Sequence, residues 1–278
     1  MTTAAEAMAI ATGRLRAAGI ADPARDARLL LAHAARIEAA RVTLIAPEDL
    51  EPEIAERYDQ LIALRLVRVP VSHLVGERAF YGRRFKITRE VLDPRPETEA
   101  LIEAALAEPF EKVLDLGTGS GCILVTLLAE QPRARGMGVD LSEAACLQAS
   151  ANAVLHGVQE RARIVVSDWF SRVDDNFDLI VANPPYIAQS EMSGLSPEVR
   201  DHEPGMALTD GGDGLGAYRA ICAAAPGHLA VGGRLIFEIG PTQGEAVAEI
   251  CLDTGFGEVE ILPDLDGRDR VIRARGLG

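Results

Sequence analysis

The sequence predicts an α/β protein, in which a mostly parallel sheet is covered by helices on both faces and preceded by a small all-α domain. Residues 1–75 carry apolar residues at three- and four-residue spacing, the period of packed helices. From residue 111 the pattern becomes strand, turn, helix, repeated, with Val/Leu/Ile-rich strands that read as buried on both faces. Two β-like runs around Asp266-Gly267 then break the alternation, as an antiparallel edge closing the sheet would.

Taken in order, DPARDARLLLAHAARI (22–37) and EIAERYDQLIALRLVR (53–68) are the clearest helices of the first part. Asp22-Pro23 supplies an N-cap acceptor followed by proline in the first turn, and Pro47 and Pro52 separate successive helices. Arg78–Tyr81 and Arg84–Ile87 flank Gly82 as a hairpin, giving a linker over 76–92 between the helical domain and a second domain over 93–278. The two prolines of Asp93-Pro94-Arg95-Pro96 stiffen the chain, after which Glu97 or Thr98 starts a helix through Ala105. Strands are expected at 112–116, 135–139, 163–166, 177–182 and 234–239, with helices at 121–130 and 142–156. Glu258–Pro263 and Arg270–Arg275 form the final pair.

Composition narrows the classes of function. An apolar fraction of 48% is enough for a sizeable core, and no run of apolar residues is long enough for a membrane-spanning helix. The first residues lack the basic-then-apolar pattern of a secretory signal, and Glu6, Asp22 and Asp26 favour an ordinary helix over a transit peptide. Cys122, Cys146, Cys222 and Cys251 are scattered, with no histidine at ligand spacing, so they read as free thiols in a reducing cytoplasm and imply no metal. The net charge of −14 counts against a protein that grips a nucleic-acid backbone.

Gly117-Thr118-Gly119-Ser120-Gly121 lies between a strand and a helix, where glycines allow a tight turn and close approach of a ligand. Such a loop most often reads as a dinucleotide site. Here the spacing is G-x-G-x-G, and Asp115 precedes it within the strand, which suits an ammonium-bearing ligand better than a pyrophosphate. Asp140 ends the next strand, where an acid accepts from two ribose hydroxyls. Asp168 follows the third strand beside Trp169, the only tryptophan. An acid there can accept from an adenine amino group while the ring covers the base; core packing is the plainer role for Trp169.

Asn183-Pro184-Pro185-Tyr186 follows the fourth strand, at the carboxyl edge where such sheets place ligands. As a turn it would be only a sharp strand exit. Chemically it fits a planar NH2 group accepting methyl. The Asn183 side-chain oxygen and the Pro184 carbonyl can each accept one N–H, orienting the nitrogen lone pair and stabilising positive charge as it develops. The prolines pre-set these acceptors, and Tyr186 would supply a flat wall. Asn183, Pro184 and Tyr186 are therefore the expected catalytic residues, with Pro185 beside them in the substrate site.

These residues resemble the class I S-adenosylmethionine methyltransferases, and more closely the release factor glutamine methyltransferases. The resemblance spans nearly the whole chain: the helical first domain, Arg95-Pro96-Glu97-Thr98-Glu99, VLDLGTGSG (113–121), Asp140, Ser167-Asp168-Trp169 and Asn183-Pro184-Pro185-Tyr186-Ile187. Glu203-Pro204 before Ala207-Leu208 and Gly267-Arg268-Asp269-Arg270 also match. One departure is Asp93, where the family more often has isoleucine; it lies outside the acceptor motif, so the reaction is expected to be unchanged and local packing altered. The resemblance implies a Rossmann-like domain with a mostly parallel seven-stranded sheet. It implies S-adenosyl-L-methionine at Gly117 through Gly121, Asp140, Asp168 and Asn183, and a glutamine at Asn183 through Tyr186. The implied substrate is the Gly-Gly-Gln loop of class I peptide chain release factors, with N5-methylglutamine as product. No metal, no membrane, no direct nucleic acid and a monomer are expected.

Other residues carry two readings each. Residues 187–216 form either a lid or a disordered surface excursion. Thr98 either reaches the methionine end of the cofactor or, slightly favoured, caps its helix; Arg95 either pairs with a carboxylate or forms an exposed structural salt bridge. His73 and His202 read as structural, and the helical domain is the candidate for gripping the release factor. The rivals to this function are adenine N6 methylation of nucleic acid and a cofactor-binding module without catalysis.

Overall fold

Apolar residues at three- and four-residue spacing close the first part of the chain as a helical unit made of residues up to 77 together with 196–202; the computed structural model describes residues 2–277. Helix α1 (Ala4–Ala17) starts from a capping box in which the Thr3 hydroxyl accepts from Glu6 N and the Glu6 carboxylate accepts from Thr3 N. Helix α2 (Pro23–Ala35) starts where expected, with proline in its first turn, but the Asp22 carboxylate makes no capping bond and only its backbone carbonyl engages, accepting from Asp26 N. Short α3 (Val42–Ile45), α4 (Pro52–Leu66) and α5 (Val71–Val75) complete the unit around Leu15, Leu30, Leu31, Tyr58 and Ile62. Arg65 is buried between Asp26 at 2.7 Å and Glu198 at 3.1 Å, Arg68 also reaches Glu198, and His202 bonds the Val67 carbonyl. The segment 196–202 thus belongs to the helical unit through ion pairs, and His202 is structural as expected.

The second unit holds residues 78–195 and 203 onward. It begins at the hairpin of β1 (Glu77–Phe80) and β2 (Arg83–Lys86), followed by a 3-10 turn at Pro96–Thr98 and α6 (Glu99–Leu106). Next come β3 (Lys112–Leu116), α7 (Cys122–Glu130), β4 (Arg135–Asp140), α8 (Glu143–Leu155), β5 (Ala162–Val166) and β6 (Phe177–Ala182). The stretch 187–216 is not structureless: it holds a 3-10 segment at Gln189–Gly194 and the short helices α9 (Pro197–His202) and α10 (Gly205–Leu208). Helix α11 (Gly216–Ala224), β7 (Leu229–Glu238), α12 (Gly244–Asp253), β8 (Phe256–Pro263) and β9 (Asp269–Leu277) finish the chain.

The seven strands run in the order β5-β4-β3-β6-β7-β9-β8; all pairings are parallel except those of β9, which runs antiparallel to both neighbours. Successive side chains face opposite cores, as a pleated strand requires. Val113 packs with Leu101, Leu124 and Leu128 on one face, and Leu114 with Ile180, Tyr218 and Phe237 on the other. From β3 the chain winds outward to β4 and β5, then returns to lay β6 and β7 on the other side. That reversal opens a crevice at the carboxyl ends of β3 and β6, where ligands bind in sheets of this kind.

Candidate active site

The loop after β3 is held to the end of β4 through its own N–H groups. Thr118 N donates to the Val139 carbonyl at 2.9 Å, and Gly119 N donates to Asp140 Oδ2 at 2.9 Å. Asp115 is fully buried and does not line the cavity, which corrects its expected role opposite an ammonium group. Its Oδ2 instead accepts from the Thr118 hydroxyl at 2.7 Å and from Leu124 N at 3.3 Å, satisfying an N–H of the first turn of α7 that has no partner within the helix. Burial pushes the Asp115 carboxyl up to about 7, against the pull of those two bonds.

Gly117, Thr118, Gly119 and Ser120 line the cavity, whereas Gly121, expected among the cofactor contacts, does not. Its φ is +77°, and a Cβ there would sit 3.0 Å from Ala149 Cβ. Gly121 is needed for the close packing of α7 on α8.

Asp140 lines the cavity, with Oδ1 accepting from Ser142 N and Oδ2 from Gly119 N, both at 2.9 Å. A carboxylate has about four lone-pair sites, so acceptor capacity remains for a ligand. Burial raises its pKa from the usual range, opposed by these backbone bonds. Exposed Asp168 and half-buried Trp169 line the same wall. The Trp169 ring packs against the core, as its plainer reading has it, and also borders the cavity; a Cβ on Gly117 would lie 3.8 Å from it. Leu141, 60% exposed, adds an apolar surface beside Asp140 that the sequence did not single out.

At the other end, Asn183, Pro184 and Pro185 line the cavity, but Tyr186 does not. Its ring packs against the core next to Gly240, and its carbonyl accepts from Gln243 Nε2 at 2.9 Å. The expected flat wall is therefore absent from the cavity lining; Tyr186 holds the turn in place. Burial pushes its phenol up to about 12. Gly214 lies against this turn, since a Cβ there would clash with the Tyr186 carbonyl. Asp210 fixes that approach by accepting from Gly212 N, Gly214 N and Gly216 N.

Asn183 Nδ2 donates to Glu238 Oε2 at 2.9 Å and to Thr98 Oγ1 at 3.3 Å. Thr98 makes no helix-capping bond, so the capping preference is corrected: its buried side chain borders the cavity and holds Asn183. Glu238 is wholly buried, and burial pushes its carboxyl up to about 7, opposed by a hydrogen bond with Thr98. Arg270 donates to the Ile239 carbonyl at 3.0 Å and steadies the end of β7. Arg95 Nη2 bridges both Glu203 oxygens at 2.8 and 2.6 Å. The Glu203 side chain is only 2% exposed, so this pair is not a surface salt bridge. Burial pushes Glu203 up to about 7, with the Arg95 charge opposing, and the following Pro204, Met206 and Ala207 line the cavity. Glu238 is not among the residues the sequence motifs mark, although an acid inside the apolar run Leu235–Ile239 is a usable signal.

A crevice at the strand reversal, a glycine-rich loop after β3, an acid ending β4 and Asn-Pro-Pro after β6 define a class I methyltransferase. The family described as Methyltransferase small domain matches residues 90–199, and that described as PrmC N-terminal domain matches residues 6–76. A release factor glutamine methyltransferase of Cereibacter sphaeroides is 58% identical over 98% of this chain and 98% of its own. Another, of Rhodospirillum rubrum, is 42% identical over 94% of this chain and 82% of its own. A solved methyltransferase structure from Pyrococcus furiosus has a TM-score of 0.54 at 18% identity, covering 71% of this chain and 91% of its own; it shows the shared fold. The chain belongs to the release factor glutamine methyltransferase family.

Proposed function

We propose that this chain transfers a methyl group from S-adenosyl-L-methionine to the side-chain amide nitrogen of the glutamine in the Gly-Gly-Gln loop of class I peptide chain release factors. The observation that carries this reading is the state of Asn183: both of its amide N–H groups are bonded within the protein, which leaves its oxygen for an acceptor N–H. Asn183 Oδ1 and the Pro184 carbonyl then each take one N–H of the glutamine NH2. That fixes the nitrogen and stabilises positive charge as the N–C bond forms and the S–CH3 bond breaks; S-adenosyl-L-homocysteine leaves as the thioether and the nitrogen gives up one proton to solvent.

The donor set fits the cofactor. Asp140 keeps lone pairs for ribose hydroxyls, Asp168 and Trp169 suit an adenine, and Leu141 gives the base an apolar surface. Gly117 through Ser120 border the remaining space. The cofactor supplies an electrophilic methyl on sulfur; the protein orients, desolvates and stabilises. Among the described residues no group of three or more His, Cys, Asp or Glu side chains is arranged to hold a metal ion, and no helix is long and apolar enough to cross a membrane. The helical unit is proposed to grip the release factor, in the cytoplasm where termination occurs.

Incubation with cofactor labelled on the methyl group, with release factor or DNA, tests this by mass analysis of the products. Label on the Gly-Gly-Gln glutamine is expected; label only on adenine would defeat the proposal.

A further inference from the structure

Strands β6 and β7 are parallel, with Ala182 opposite Phe237, so the next residues, Asn183 and Glu238, leave the sheet side by side. Ala182 and Phe237 face one core, and the pleat turns Asn183 and Glu238 to the other side. There the Asn183 amide nitrogen meets two oxygens, Glu238 Oε2 at 2.9 Å and Thr98 Oγ1 at 3.3 Å.

We propose that Glu238 is a positioning residue, which locks the Asn183 amide so that its oxygen, and not its nitrogen, is presented to the glutamine. The inference rests on the reading of Asn183 as the partner of the acceptor nitrogen.

Three features support it. The Glu238 oxygen that faces Asn183 acts as an acceptor, so it meets the NH2 side of the amide and disfavours the C=O side. A flipped Asn183 would set two oxygens against each other at the present 2.9 Å and would offer donors to an acceptor group that is itself a donor. Second, Glu238 is wholly buried, its Oε1 has no hydrogen-bond partner among the described residues, and its neighbours along the strand are Phe237 and Ile239. A leucine would satisfy such a position as packing, and an acid is costly there unless its oxygen is used. Third, the backbone at this point is held without the carboxylate. Tyr218 Oη donates to the Glu238 carbonyl at 2.9 Å, and Arg270 donates to the Ile239 carbonyl at 3.0 Å. The carboxyl group is thus left to side-chain partners, Asn183 and Thr98.

The test uses the full chain with whole release factor and compares Glu238→Leu, Glu238→Gln, Asn183→Ala and the Glu238→Leu/Asn183→Ala double variant. Turnover is measured by methyl incorporation, and cofactor affinity by the fluorescence of Trp169, the sole tryptophan, which borders the cavity. Glu238→Leu is expected to lower kcat about 10- to 100-fold, on the scale of one or two tenfold steps in barrier, with cofactor Kd changed less than about threefold. Glu238→Gln should restore most of the loss, because its carbonyl oxygen can accept from Asn183 Nδ2 in the same place. In the Asn183→Ala background, Glu238→Leu should add almost nothing, as expected when one residue acts through the other.

Turnover of Glu238→Leu within twofold of wild type overturns the proposal, as does a Gln variant as impaired as Leu, or full additivity in the double variant. An active Asn183→Ala would instead overturn the reading of Asn183 itself, so the two failures are told apart. Should Glu238→Leu fail to fold, Glu238→Met supplies an unbranched side chain without an acceptor oxygen for the same comparison.

Discussion

At the end of the cavity proposed for the cofactor, carboxylates hold main-chain N–H groups: Asp140 takes Gly119 and Ser142, and Asp115 takes Leu124. At the acceptor end, side chains hold side chains: Glu238 and Thr98 hold Asn183, and Glu203 holds Arg95. The first end is fixed once the backbone folds. The second depends on the identity of individual side chains, so single substitutions there should remove turnover while leaving cofactor binding.

The largest expected effect is on that contrast. Asn183→Ala should lower kcat by about 10²–10³, the scale seen when one preorganised group at a reacting centre is removed, with cofactor affinity nearly kept; rapid-quench turnover alongside a cofactor titration measures both. At the other end, Asp140→Asn should weaken cofactor binding roughly 10- to 100-fold, the worth of a hydrogen bond or two to a charged group. Calorimetric titration checks it, and an unchanged Kd would break the assignment of Asp140. Gly121→Ala attacks the backbone route: a Cβ 3.0 Å from Ala149 Cβ at φ +77° should destabilise the protein by about 1–3 kcal/mol. Thermal unfolding would show it, and cofactor binding to the folded fraction should survive.

The smallest effect is a dependence on pH. The Glu238 carboxyl is raised by burial from 4.5 to about 7 in the folded protein. Its favourable contribution is complete below the unfolded value and is lost as pH rises through the folded one. Glu238→Gln removes that loss, so its Tm relative to wild type should rise between pH 5 and pH 8, by about 2–4 °C if 1 kcal/mol is involved. A difference independent of pH would show that the buried group does not titrate.

The two ends also differed in how legible they were. The alternation of β3 through β6 with α7 and α8, the antiparallel edge of β8 and β9, and Asn183 after β6 were all readable, because each is set by local pattern. The sequence pattern marks β7 only from residue 234, whereas the strand starts at Leu229. Gly232-Gly233 resembles a break, yet the pairing with β6 absorbs it through a register shift between Phe177 and Leu179. Asp115 and Asp140 looked alike as acids near strand ends; only the fold shows one beneath the loop and one beside the cavity. Glu238 and Asn183 stand 55 residues apart and meet through strand register alone. Tyr186 misled because its motif neighbours do face the cavity, while the space beside Gly240 takes its ring the other way.

The passage of the chain between its two units, at 77/78, 195/196 and 202/203, has a consequence for modularity. A helical unit completed by residues 196–202 is not a detachable prefix. Cutting at residue 77 would strip Glu198 of Arg65 and Arg68 and leave Arg65 with Asp26 as its only acidic partner in the excised piece. Exchange of this unit between relatives therefore requires two segments to travel together, and a chimera joined at one seam inherits mismatched charges.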